Sequence, residues 1–172
     1  SVSQVVVPFM AIIYFVFAFI VIVTHITALP AAIVAIVKSA FTGSALAGGA
    51  AGTMVVAMQK GIARGIFSNE AGLGSAPIAA AAAQTHSTVR QGLVSMTGTF
   101  IDTIVICTMT GLTIVITGTW NTGLEGVAIT TAAFQKGLPF PPAVASLVLM
   151  VCLVFFAFTT ILGWNYYGER CI

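Results

Sequence analysis

The sequence predicts an all-α integral membrane protein with one discontinuous transmembrane helix, and three observations carry that prediction. Of 172 residues, 59% are hydrophobic and 6% charged, with a mean hydropathy of +1.10; a soluble domain carries about 25% charged residues. The apolar runs Val5 to Val23, Gly92 to Gly118 and Pro142 to Gly163 each reach about the 20 residues that a helix needs to cross the hydrocarbon core. Finally, the stretch GIARGIFSNEAGLGSAP at 61–77 places an Arg, an Asn, a Glu and four glycines inside what would be a further crossing.

The same features exclude other classes. A formal charge of +2 is too small to suggest a nucleic-acid partner. No signal peptide is expected, because the first apolar stretch lacks a basic leader and is too long. Without Met at position 1, and ending at YYGERCI just past a span, the chain reads as an internal piece of a longer protein. Cys107 and Cys152 lie inside apolar spans and Cys171 follows the last, so no disulfide framework is implied. An enzyme is not expected: Ser75 lacks the GxSG context of a rhomboid-type nucleophile, Asp102 is the one aspartate where an intramembrane aspartyl protease needs two, and HExxH is missing.

The first span is expected over 5–29, with Pro8 in its opening turns, where proline is tolerated. Pro30 then opens a short helix at about 30–42, AAIVAIVKSAF, too short to cross and read as interfacial or partly inserted. The following stretch is rich in small residues, and Ala45, Gly48, Gly49 and Gly52 allow close helix approach.

That helix cannot run smoothly on. Gly61, Gly65, Gly72 and Gly74 disfavour helix by about 1 kcal/mol each, and Pro77 by more. After Pro77, IAAAAAQT is a strong helix former. One crossing at about 47–85 is therefore expected, made of two half helices, Ala47 to Ala63 and Gly72 to Thr85, joined by unwound backbone. Lipid satisfies no free N–H or C=O, so such a break survives only buried in protein or lining a cavity. Half-helix ends suit charged ligands: the N-terminus offers N–H donors to a carboxylate, and the C-terminal carbonyls suit a cation. The polar break reads as a binding site.

The next span, 91–118, carries Thr99, Thr103, Thr110, Thr113 and Thr117. At the regular α-helical rotation these fall at roughly 0°, 40°, 20°, 320° and 0°, with Asp102 at roughly 300°. One hydroxyl face toward the bundle interior is expected. A connector follows at 119–141, where GLEGVAITTAAFQKGL has the pattern of a short amphipathic helix. The last span, 142–167, ends in an interfacial belt of Trp164, Tyr166 and Tyr167 with Arg170 just outside. If spans alternate, Arg90 and Arg170 share one side, mildly favouring it as cytoplasmic, with Lys38 and Lys136 opposite.

The string GIARGIFSNEAGLGSAPIAAAAA, then QGLVSMTGTFIDTIVICT and FAFTTILGWNYYGE, resembles the alanine or glycine:cation symporter family, the sodium:alanine symporters of bacteria and archaea. VVVPFMAIIYFVFAFIVIV and LPAAIVAIVKSAF extend the likeness over nearly the whole chain. The resemblance implies a leucine-transporter-like inverted-repeat bundle, of which this segment is the fifth to eighth helices and the broken helix the sixth. The first helix, which carries much of the site in that architecture, would lie outside, so this segment alone should not transport. Phe67, Ser68 and Asn69, with the backbone near Ala71 and Gly72, would border a small neutral amino acid. Thr159 and Thr160 match a threonine pair that supplies hydroxyl ligands to sodium. Oxygen ligands suit a hard cation. Sodium is then the coupling ion, with no cofactor and no transition metal, and the partners are the remaining helices and the lipid of the cell membrane.

Other roles stay open. Glu70 fits a coordinating or proton-handling carboxylate, or a structural partner for Arg64 or the loose backbone; a charge at the bilayer centre is costly by about 2.5–3.5 kcal/mol on insertion scales, so it must be used. Asp102 fits a gate, a cation contact or a structural anchor. Thr159 and Thr160 also fit simple back-bonding to helix carbonyls, and His25 and Phe67 fit ordinary packing. For the whole, the alternative to symport is a channel or a structural membrane subunit.

Overall fold

The computed structural model describes residues 2–41, 55, 58–59, 61–63 and 75–171. The elements among them are helical: α1 Val2–Thr24, α2 Leu29–Phe41, α3 Ala76–Ala81, α4 Thr88–Thr99, a π-helix Phe100–Cys107, α5 Thr108–Thr117, α6 Val127–Gly137 and α7 Pro142–Cys171, with 3-10 turns at Ile26–Ala28 and Thr119–Asn121. Three stretches are long and apolar enough to cross a membrane: Val5–Thr24, Thr88–Thr117 and Pro142–Cys171. The chain divides into two compact units, residues 1–32 with 106–172, and residues 33–105.

In the first unit, α1 packs on α5 and α7, and α6 packs on all three. Its core is Ala18, Val21, Phe134, Leu138, Ala145 and Leu149, flanked by Tyr14, Phe17, Ile20 and Met109. Tyr14, Phe17, Ala18 and Val21 recur at three- and four-residue steps, so they share one face of α1. Tyr14 lies against Phe134, with ring centroids 5.5 Å apart, and Phe17 against Phe140 at 6.4 Å. The opposite face of α1 exposes Phe9, Ile12, Phe19 and Val23, and α7 exposes Leu147, Val154, Phe158 and Ile161. Such apolar outer faces suit a lipid solvent.

The first helix stops at Thr24, short of the 29 expected. The Thr24 hydroxyl donates to the carbonyls of Ile20 and Val21 at 2.9 and 3.0 Å, and His25 Nδ1 lies 3.1 Å from the Val21 oxygen. His25 leaves helical geometry at φ −114°, ψ 32°, and the 3-10 turn follows. Local side chains competing for the last carbonyls are a known helix-ending device.

α5 ends at Gly118, which is left-handed at φ 68° and donates to the carbonyls of Ile114 and Val115. A left-handed glycine is the common C-terminal cap. In α6 the buried face is Ala133, Phe134 and Gly137. A Cβ on Gly137 would stand 2.5 Å from Val21 Cγ1 and 3.0 Å from Thr117 Cγ2, so the glycine is what lets α6 approach α1 and α5. The last helix runs on to Cys171 because its exposed end is tied i to i+4: Asn165 Nδ2 donates to Glu169 Oε1 at 3.0 Å, and the Arg170 guanidinium lies 5.2 Å from the centre of the Tyr166 ring.

In the second unit, Pro77 opens α3 in the first turn, where its missing N–H is no loss. α3 closes at Ala81 rather than reaching Thr85. The alanine run loses to the polar QTHS that follows: Ser87 turns extended at φ −116°, ψ 112°, its Oγ accepts from the Arg90 N–H at 3.3 Å, and a new helix starts.

Candidate functional site

Arg64, Phe67, Ser68, Asn69, Glu70, Ala71 and Gly72, the residues of the expected unwound break, lie outside the described residues. Its flanks are described. Residues 61–63 are helical on one side; on the other, Ser75 is buried at the N-terminus of α3.

Thr159 and Thr160 lie in the middle of α7. The Thr159 hydroxyl donates to the carbonyls of Phe155 and Phe156 at 2.9 and 3.0 Å, and that of Thr160 to Phe156 at 2.8 Å. Both protons are thus committed to the preceding turn, which leaves the oxygen lone pairs to accept from or ligate something outside the helix. Thr159 is half-buried and Thr160 exposed. The back-bonding that a purely structural pair would make is therefore present, and it is compatible with a cation ligand, which needs lone pairs rather than protons. Nothing among the described residues is brought to them from another element by a hydrogen bond.

The threonine face differs from the sequence expectation. Phe100–Cys107 is a π-helix, so the rotation per residue between Thr99 and Thr110 is not that of an α-helix. Each residue taken up by wider turns swings everything after it by about 100°. Thr99 and Thr103 are exposed, Asp102 and Thr110 half-buried, and Thr113 and Thr117 buried. The regular α-helical step expected from the sequence does not hold through Phe100–Cys107.

The inner half of that span is closely tied. The Thr110 hydroxyl donates to Ile106 O at 2.8 Å and pairs with Tyr14 Oη at 2.6 Å, linking α5 to α1. Thr113 donates to Met109 O and Thr117 to Thr113 O, both at 2.8 Å, and Thr117 and Thr119 hydroxyls meet at 3.2 Å. Lys136 Nζ on α6 donates to Thr117 O at 2.6 Å. Sequence reasoning missed Tyr14, Lys136 and Gly137; Gly118 just after an apolar helical run, with a lysine on the next helix, was the readable hint of a capped end. Among the described residues no group of three or more His, Cys, Asp or Glu is placed to hold a metal ion.

These helices make a multi-pass protein of the cell membrane. The chain belongs to the sodium:alanine symporter family, whose model matches residues 1–172, and the family is one of transporters rather than enzymes. It is 57% identical over 171 residues to an uncharacterized transporter of Haemophilus influenzae, covering 98% of this chain and 37% of that protein. It is 48% identical over 173 residues to the sodium/alanine symporter AgcS of Methanococcus maripaludis, covering 98% and 37%. With the probable sodium/glutamine symporter GlnT of Bacillus subtilis it shares 42% over 171 residues, covering 99% and 34%. The chain thus spans little more than a third of the length of these relatives.

Proposed function

We propose that the protein of which these residues are part is a secondary symporter that moves a small neutral amino acid, alanine or glycine, by alternating access, driven by a sodium gradient. The family match along residues 1–172 is the observation that carries the reading. Relatives named as a sodium/alanine symporter and a probable sodium/glutamine symporter support sodium as the constant partner and the amino acid as the variable one.

In this reading residues 1–172 supply four crossings of a leucine-transporter-like inverted-repeat bundle, one of them broken at about 64–71, and the remaining helices complete it. Phe67, Ser68 and Asn69, with the backbone of Ala71 and Gly72, border the amino acid. Thr159 and Thr160 hold sodium through hydroxyl oxygens whose protons are already placed on Phe155 and Phe156 carbonyls. Arg64, Glu70 and Asp102 serve structure or gating. Sodium and substrate together tie the broken helix to the rest, and only the filled or empty site favours the switch.

Binding of labelled alanine to the purified full-length protein tests this reading. Sodium is expected to raise alanine affinity over potassium, and alanine to raise sodium affinity by the same factor, because coupling is reciprocal. Alanine and glycine binding that ignores sodium would contradict it, as would currents without saturable amino-acid dependence.

A further inference from the structure

We propose that α6 is a fixed plug: its apolar tip, Phe134, seals from the connector side the groove that α5 and α7 leave between them on α1. The seal does not depend on the symport reading; its consequence for sodium does. α1 and α5 run parallel, since Tyr14 pairs with Thr110 and, seven residues on in both, Val21 and Thr117 both lie against Gly137. α5 and α7 each pack on α1 and on α6, and scarcely on each other. The gap between them is the seat of α6. With 11 residues, about 16 Å long, this helix cannot cross a membrane and is instead an inserted segment held against protein.

Its depth follows from its contacts. Gly137 meets Val21, near the end of α1, whereas the Phe134 ring lies 5.5 Å from that of Tyr14, seven residues or about 10 Å deeper. Phe134 is 1% exposed and clusters with Ala18, Val21, Leu138, Ala145 and Leu149. The rim above this tip is polar. Neighbouring residues Gln135 and Lys136 reach opposite walls, Gln135 Nε2 donating to Ser146 Oγ on α7 and Lys136 Nζ to Thr117 O on α5. An apolar tip hung from both walls, with no room for a methyl at Gly137, stays seated and leaves no path for water.

What lies below the tip gives the seal its use. Ala145, Leu149, Cys152, Phe156 and Thr159 follow one another at three- and four-residue steps on one face of α7. Among the described residues that face is covered down to Cys152, 6% exposed, and opens at Phe156, 57% exposed. Thr159 therefore stands on the open continuation of a groove whose connector end is shut. In the symport reading, sodium does not reach Thr159 down this groove, and access alternates along other surfaces of the bundle. An ion-driven carrier needs such a barrier, because a water-filled path past the site would dissipate the gradient.

Cys152, just below the tip, reports the seal. The full-length protein keeps Cys152, gains Leu124→Cys at an exposed connector position, and has every other cysteine replaced by serine. Proteoliposomes are treated with a membrane-impermeant cationic methanethiosulfonate, in potassium and again in sodium with alanine. Mass spectrometry then reads Cys152 only in molecules labelled at 124, whose connector faced the reagent. Protection of Cys152 in both media is expected. Phe134→Ser should raise its labelling rate on the order of tenfold or more, and Phe134→Leu, which keeps an apolar tip, far less. Rapid labelling of Cys152 with Phe134 in place, in either medium, overturns the plug, and so does an inserted Phe134→Ser protein as protected as its parent. If Phe134→Ser fails to insert, Gln135→Leu with Lys136→Met removes both tethers and should raise labelling too; unchanged protection overturns the plug. Alanine uptake by the parent protein keeps the two ideas apart. Protection without uptake contradicts symport and leaves the plug, and sodium-driven uptake with freely labelled Cys152 leaves symport and removes the plug.

Discussion

Lys136 on the connector helix donates its ammonium proton to the main-chain carbonyl of Thr117, at 2.6 Å and 19 residues away in sequence. The carbonyl belongs to the last turn of α5, where the helix dipole is negative and the final C=O groups have no partner within the helix. The next residue along α6, Gly137, presses on the same turn and on Val21. One helix end, one cation and one missing side chain therefore hold the connector against two spans.

Replacing Lys136 with Met keeps the stem and removes the charge. The expected loss is about 0.3–1 kcal/mol, the usual worth of a cation at a helix C-terminus. A lower thermal midpoint in detergent, partly restored by Lys136→Arg, is the expected outcome; an unchanged midpoint would show that the cap contributes nothing.

Gly137→Ala puts a methyl 2.5 Å from Val21 Cγ1, a contact that something must yield to. Overpacking of this kind is destabilising by about 1–3 kcal/mol. Because the shortest contact is with Val21 and the next, at 3.0 Å, is with Thr117, Val21→Ala combined with Gly137→Ala should recover part of the loss, a non-additivity that a double-mutant cycle reads directly.

The Tyr14–Thr110 hydroxyl pair is a polar contact between α1 and α5. Interhelical hydrogen bonds in membranes average about 0.6 kcal/mol in such cycles. The cycle of Tyr14→Phe with Thr110→Val should give a coupling of that order, and coupling near zero would mean the Phe134 ring, not the hydroxyl, places Tyr14.

Asn69→Ala is expected to lower sodium-driven uptake severalfold while leaving the protein folded and inserted, since an amide that orients substrate contributes about 0.5–1.5 kcal/mol net. Transport at the parent level would remove Asn69 from the site.

The apolar crossings were legible because lipid demands about 20 apolar residues in a row, and Val5–Thr24 and Pro142–Cys171 state that in composition alone. Boundaries were less so. The end of α1 depends on what Thr24 and His25 do with two carbonyls, and the end of α3 on Ser87 starting a new helix beyond five alanines, contests between local bonds that propensity does not rank. The π-helix was invisible to a reading that turns each residue by a fixed angle. Lys136 and Gly137 act through α5 and α1, and a linear pattern does not say which turn a side chain will meet. The proposed substrate residues rest on the FSNEAGLGSAP string, of which 67–74 lie outside the described residues.

The measurement that tests the central claim most directly is uptake of radiolabelled alanine by the full-length protein in proteoliposomes under an inward sodium gradient, with a potassium control and Thr160→Val beside it. Saturable uptake that needs sodium and weakens in the variant, with its sodium dependence shifted to higher concentration, is the predicted result. A folded preparation that accumulates neither alanine nor glycine with sodium would contradict the account.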